Sequence, residues 1–97
     1  MKNIHSWGGR YFGYIDGDDL WSGNGNHVGK IVNNEIYGSD GGYLGEIKHD
    51  KLITNISKKS KRKSGFIPFC SRVGVVSLVN HVGNVMYVGY EDFPKLN

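Results

Sequence analysis

Three glycines sixteen residues apart, Gly13, Gly29 and Gly45, carry matching neighbours, and this spacing constrains the chain more than any other feature. Ile15, Ile31 and Ile47 follow them by two residues, Leu20, Ile36 and Leu52 by seven, and Trp21, Tyr37 and Ile53 by eight. One step back from Leu20 lies Ile4, and one step back from Gly25 lies Gly9, so the pattern starts at the N-terminus. Gly8-Gly9, Asn24-Gly25 and Asp40-Gly41 are strong signals for two-residue type I′ hairpin turns, which need positive φ at both central residues. That register sets His5 against Phe12, Trp21 against Val28 and Tyr37 against Leu44. Ile4, Leu20 and Ile36 then oppose Gly13, Gly29 and Gly45. At the opposite strand ends, Gly17-Asp18, Asn33-Asn34 and His49-Asp50 also fit two-residue turns, pairing Ile15 with Leu20, Ile31 with Ile36 and Ile47 with Leu52. The expectation is an all-β chain, an antiparallel meander of tandem sixteen-residue β-hairpin repeats.

Alternation along the strands gives two faces. A core face carries Ile15, Leu20, Ile31, Ile36, Ile47 and Leu52 with the three glycines. The second face carries Phe12, Trp21, Val28, Tyr37, Leu44 and Ile53, mixed with Tyr14, Lys30 and Glu46. This face is half apolar, as a second packing layer or a partner surface would be, and Phe12, Trp21 and Tyr37 are its candidate contact residues. Past residue 56 the same register continues if Ile53 pairs with Val73 and Leu52 with Gly74, and again if Gly83-Asn84 turns and Val79 faces Val88. Five Leu/Ile–Gly units result. The competing reading, a helix over 46–64, has only Ile47, Leu52, Ile53 and Ile56 in its favour. Closure of the array would remove edge strands that invite aggregation. It would also make residues 2–6 and 86–90 neighbours.

The length of 97 residues fits a single domain, 1–97, with a thin core. Fifteen glycines and two prolines suit a protein of turns. The lone Cys70 forms no intrachain disulfide and belongs to no metal-ligand spacing, which suits a reducing, cytoplasmic setting. Neither a signal-like apolar region after Met1 nor an apolar run long enough to span a membrane is present.

Residues for chemistry are sparse. Asp16, Asp18 and Asp19 cluster, and Glu35 and Asp50 stand at later turns, but turns favour such side chains for their own hydrogen bonding. A small hydrolytic or carbohydrate-active enzyme would need two carboxylates flanking a cleft. His5, His27, His49 and His81 form no metal-binding motif, and the glycine pairs lack the context of a phosphate loop. No catalytic, metal or cofactor residue is assigned. The formal charge of +3 resolves into five cations, Lys58, Lys59, Lys61, Arg62 and Lys63, and a net −2 over the remainder. This run reads as an exposed insertion at a hairpin tip, about 57–65, available for weak, sequence-independent contact with nucleic acid or another anionic surface. The bland alternative is a solubilising loop.

The segments GYIDG, VGKIVNNEIYGSDGGYLGEI and YLGEI resemble those of small bacterial four-fold β-flower proteins, over roughly residues 4–90. The resemblance implies a compact all-β fold with internal pseudo-four-fold symmetry and no established activity. It supplies no catalytic residues. With the residue-level reading, it points to a non-enzymatic binding or structural module, self-associating or engaging a protein partner.

Overall fold

The computed structural model describes residues 1–75 and 78–96. Seven strands follow one another as an antiparallel meander: β1 (Lys2–Ser6), β2 (Tyr11–Asp16), β3 (Asp19–Ser22), β4 (His27–Val32), β5 (Glu35–Tyr37), β6 (Tyr43–Lys48) and β7 (Lys51–Asn55). β1 returns to pair in parallel with β7 through His5↔Lys51 and Ser6↔Leu52, which closes a seven-stranded barrel. β8 (Tyr90–Asp92) takes the rest of the β7 edge, antiparallel, opposite Ile53, Thr54 and Asn55. The edge of β7 is thus divided between the two ends of the chain.

The inner strand ends close as two-residue turns. Asn33-Asn34 and His49-Asp50 hold positive φ at both residues, and Gly17 at the first of its pair. The pairs Ile15↔Leu20, Ile31↔Ile36 and Ile47↔Leu52 follow. The other three hairpin ends differ from the expected type I′ turns. At each, only the second residue of the pair is left-handed: Gly9, Gly25 and Gly41 have φ of 91°, 92° and 86°. In the middle loop the Gly25 amide bonds to the Ser22 carbonyl at 3.0 Å and the Ser22 amide to the Asn26 carbonyl at 2.9 Å. The loop therefore takes three residues, and a one-residue bulge restores the register beyond it. Trp21 faces His27, not Val28, while Leu20 still faces Gly29. Likewise His5 faces Tyr11, not Phe12, and Tyr37 faces Tyr43, not Leu44.

The bulges decide what is inside. A one-residue shift turns a side chain to the other face. Phe12, Val28 and Leu44 are the inserted residues, and they point inward. The buried core is Ile4, Phe12, Leu20, Ile36, Leu52 and Phe93, with Val28, Leu44, Ile15, Ile31 and Ile47 packed at its margin. Phe12 thereby leaves the outer face to which strict alternation assigned it. Its ring meets Phe93 edge-on at 5.2 Å.

The pairing expected beyond residue 56 does not form. No helix spans 46–64 either; a single 3₁₀ turn, Ile56–Lys58, ends β7. Residues 59–89 run without strand structure among those described and return outside the barrel as a strap. The basic run is the start of this strap, not the tip of a hairpin. Pairing β7 with β8 brings Phe93 into the core, where burying a large apolar side chain contributes on the order of 1.5–3 kcal/mol. The pairing expected from sequence would have set Gly74, which has no side chain, opposite Leu52 at that position. Just beyond the 2–6 segment, Trp7 meets Tyr87 at 5.2 Å, and residues 86–89 are not a strand.

Left-handed glycine has two consequences at Gly25, backbone geometry and room for the strap, because a Cβ there would run into the Arg72 carbonyl. Gly17 shares the positive φ, 63°, but has open space around it. Gly17→Ala is expected to cost about 1–2 kcal/mol from conformation alone. Gly25→Ala should cost clearly more in urea denaturation, and the difference between the two reports the docking of the strap.

Candidate functional site

The outer face of the barrel is aromatic, yet it is not free. Tyr14, Trp21, Tyr37, Ile53 and, nearer the loops, Trp7, Tyr11, His27 and Tyr43 are all buried. The strap covers them by a regular device. Its Lys63, Arg72 and His81 amides bond to the carbonyls of Gly41, Gly25 and Gly9 at 2.8, 2.8 and 2.7 Å. Its Phe66, Val75 and Asn84 amides bond to the carbonyls of Ser39, Gly23 and Trp7 at 3.0, 2.8 and 3.1 Å. The strap thus advances nine residues for every sixteen that it retraces along the barrel. The first residue of each leg also sits on a ring. Lys63 Nζ lies 5.3 Å from the Tyr37 centroid and the Arg72 guanidinium 3.8 Å from Trp21, both cation–π contacts. His81 stacks on His5 at 3.6 Å. Burial, then His5, then Lys51 hold His81 below the ordinary histidine range.

The polar groups beneath the strap are occupied in joining it to the barrel. The His27 side chain is fully buried. Its Nδ1 accepts from the Phe69 amide at 3.0 Å, so Nε2–H donates to Asp19 at 2.9 Å. An Asp–His pair of this kind orients a base in hydrolases, but here both ring nitrogens are used. Asp16 is taken by Arg72 at 2.9 Å and Asp19 also by Lys30 at 3.1 Å. Glu35 accepts from Lys58 at 2.9 Å, Lys61 at 2.8 Å and the Tyr37 hydroxyl at 2.8 Å. Lys58 reaches on to Glu46 at 3.3 Å, which also accepts from the Tyr43 hydroxyl at 2.9 Å. The Lys61 and Lys58 hydrogen bonds press the Glu35 carboxyl down to about 2, far from what a general acid needs. Among the described residues no group of three or more His, Cys, Asp or Glu could hold a metal ion.

The residues singled out from sequence fall into two groups. Phe12 is in the core, and Trp21 and Tyr37 lie under the strap, so none of the three offers a surface to an outside partner. Lys58, Lys59, Lys61 and Arg62 are paired with Glu35 and Glu46, Glu91, Glu35 and Asp40 respectively, and Lys63 with the Tyr37 ring. Sequence reasoning missed the strap itself. Its signal was present: a residue with a polar nitrogen two before glycine, Lys63-Ser-Gly65, Arg72-Val-Gly74 and His81-Val-Gly83, repeats every nine residues. Outward from the barrel the strap presents Ile67, Val73, Val79, Val82, Val85 and Val88, at steps of three or six and each at least 86% exposed.

A family model described as 4-fold beta flower protein matches residues 1–72, the barrel and the first leg of the strap. No curated protein and no solved structure matches the chain at a significant level. No helix among the described residues is long and apolar enough to cross a membrane.

Two outcomes follow from the charge pairing. A carboxyl with a lowered folded pKa contributes stability above its unfolded value, and that stability is lost as pH falls through the folded value. Stability should therefore drop between about pH 4.5 and about 2 through Glu35. Thermal melts across this window should show a shallower acid dependence in Glu35→Gln. Five free cations would give duplex DNA binding a salt slope of about −4 to −5. With four of the five paired to carboxylates, a filter-binding salt titration should give a distinctly shallower slope.

Proposed function

Because the chain belongs to the 4-fold beta flower family, we propose that it is a non-enzymatic interaction module whose barrel holds a strap and presents the strap's outer side chains to a second copy of the chain. The observation that carries this reading is the division of labour along the strap. Inward positions supply rings, cations and backbone donors to the barrel, whereas outward positions are β-branched and nearly fully exposed. Six such residues expose on the order of several hundred Å² of apolar surface, at the upper end of what a monomer ordinarily leaves in water. Extended, β-branched segments of this kind favour edge-to-edge association with their own kind.

In this reading the barrel is a pseudo-four-fold array of sixteen-residue units. The loops at Gly9, Gly25 and Gly41 belong to three of them, and the 3₁₀ turn Ile56–Lys58 stands where the fourth loop would be. The chain leaves the sheet there, and β8 occupies the eighth strand position over only three residues. The reading is also supported by the chemistry beneath the strap, where the carboxylates and His27 are consumed in structural pairs.

Sedimentation velocity tests it. The protein is expected to sediment as a dimer at about 100 µM, where a micromolar complex is nearly saturated. Val73→Lys, Val79→Lys and Val82→Lys together should return it to a monomer with an unchanged far-UV circular dichroism spectrum. A wild-type chain that stays monomeric throughout would remove the proposal.

A further inference from the structure

We infer that the cleft between the barrel and the last leg of the strap is a binding site for a small ring-bearing anion. The cleft has a volume of about 460 Å³ and is lined by Trp7, His49, Lys51, Asn84, Val85 and Tyr87. That volume lies within the roughly 300–1,000 Å³ typical of small-molecule sites. Its aromatic walls are fixed from two sides. Trp7 Nε1–H donates to the Val85 carbonyl at 3.0 Å, and the Trp7 carbonyl accepts from the Asn84 amide at 3.1 Å. Tyr87 lies 5.2 Å from Trp7, and His49 lies 6.1 Å from it on the turn between β6 and β7.

Charge sets the class of ligand. Lys48 and Lys51 are direct cross-strand partners flanking the His49-Asp50 turn. Like charges placed opposite one another destabilise a sheet. Two other strand lysines of the barrel have acids: Lys2 has Asp50 and Lys30 has Asp19. Neither Lys48 nor Lys51 makes a salt bridge or hydrogen bond to a carboxylate among the described residues; Lys51 feels only the field of Asp50, whose hydrogen bond goes to Lys2. Lys48 instead lies 5.6 Å from the Tyr87 centroid and 5.8 Å from that of Tyr90, and the nearby Asp50 is already engaged by Lys2 at 2.7 Å. A half-buried cation repelled by its neighbour, beside Trp, Tyr and His rings, is matched by a ring carrying a phosphate or carboxylate. The anion would answer Lys51 and relieve its repulsion with Lys48. The ring would lie against Tyr87, and the Asn84 side chain would supply hydrogen bonds.

Calorimetric titration of the full chain decides it, with adenosine 5′-monophosphate and glucuronate as ring-bearing anions and adenosine, glucose and inorganic phosphate as controls. At least one of the two ring-bearing anions is expected to bind with a Kd of about 1 mM or tighter. Which of them binds distinguishes a phosphate from a carboxylate ligand. The matching neutral compound should bind about tenfold more weakly or worse, and so should inorganic phosphate. Lys51→Ala should lose about tenfold in affinity while its urea midpoint, without ligand, stays level or rises, because a like-charge pair has been removed. Tyr87→Ala should also weaken binding, and the His49 ring resonances should move on titration of the wild type. The inference is overturned if neither ring-bearing anion binds at about 10 mM, if the neutral analogue binds equally well, or if Lys51→Ala binds like the wild type.

Discussion

Gly9, Gly25 and Gly41 each hold the backbone in the left-handed region at a hairpin end, and the two layers of the molecule meet at that conformation. On the barrel side it makes the loop three residues long and obliges a bulge, which sends Phe12, Val28 and Leu44 inward to the core. On the strap side it exposes a loop carbonyl with no Cβ in the way. The Lys63, Arg72 and His81 amides then reach those carbonyls at hydrogen-bond distance. With a side chain at any of the three, the strap would be pushed off its acceptor and the loop strained. Glycine is the residue that serves both ends.

The strap solves a problem that the barrel creates. A seven-stranded barrel of short strands has room inside for one set of side chains, and the bulges fill it with aliphatic residues and Phe12. Trp21, Tyr14, Tyr37 and Ile53 are left on the outside, where a bare aromatic face would be costly in water. The chain covers that face with its own continuation. Strap and barrel stay in step because nine residues of one span the same distance as one hairpin of the other, so each leg finds the same acceptor and the same kind of ring. Phe66 and Phe69 extend this cover over His27 and Trp21.

Charge follows the same logic. The basic run that begins the strap lies against Glu35, Glu46, Asp40 and Glu91, four of the nine acidic residues in the chain. Much of its value is in directing the chain out of β7 and back along the β5–β6 hairpin, where Arg62 pairs with Gly42 as an isolated bridge. Pairs of exposed side chains contribute little singly. The network around Glu35 is the exception, since two lysines and a tyrosine hydroxyl converge on one mostly covered carboxylate.

The sequence by itself determined the strands from β1 to β7, their order, and the pairing of Leu20 with Gly29, Ile36 with Gly45 and Ile15 with Leu20. Alternating apolar residues and turn signals are local, and a hairpin tests them within a dozen residues. It did not determine the loop type, because Asn24-Gly25 suits a two-residue turn as well as a three-residue loop. What chose between them was the strap carbonyl packed against Gly25 and the space at the core margin for Val28. Both come from residues far away in the chain. The fate of residues 59–89 was likewise a tertiary decision. An extended segment bonded to the loops in pairs of amides that recur every nine residues has no period of its own until those loops are in place, and its valines read equally well as strand. Only the assembled barrel, with an aromatic face to cover and three carbonyls at fixed intervals, made the inward third of that segment different from the outward third.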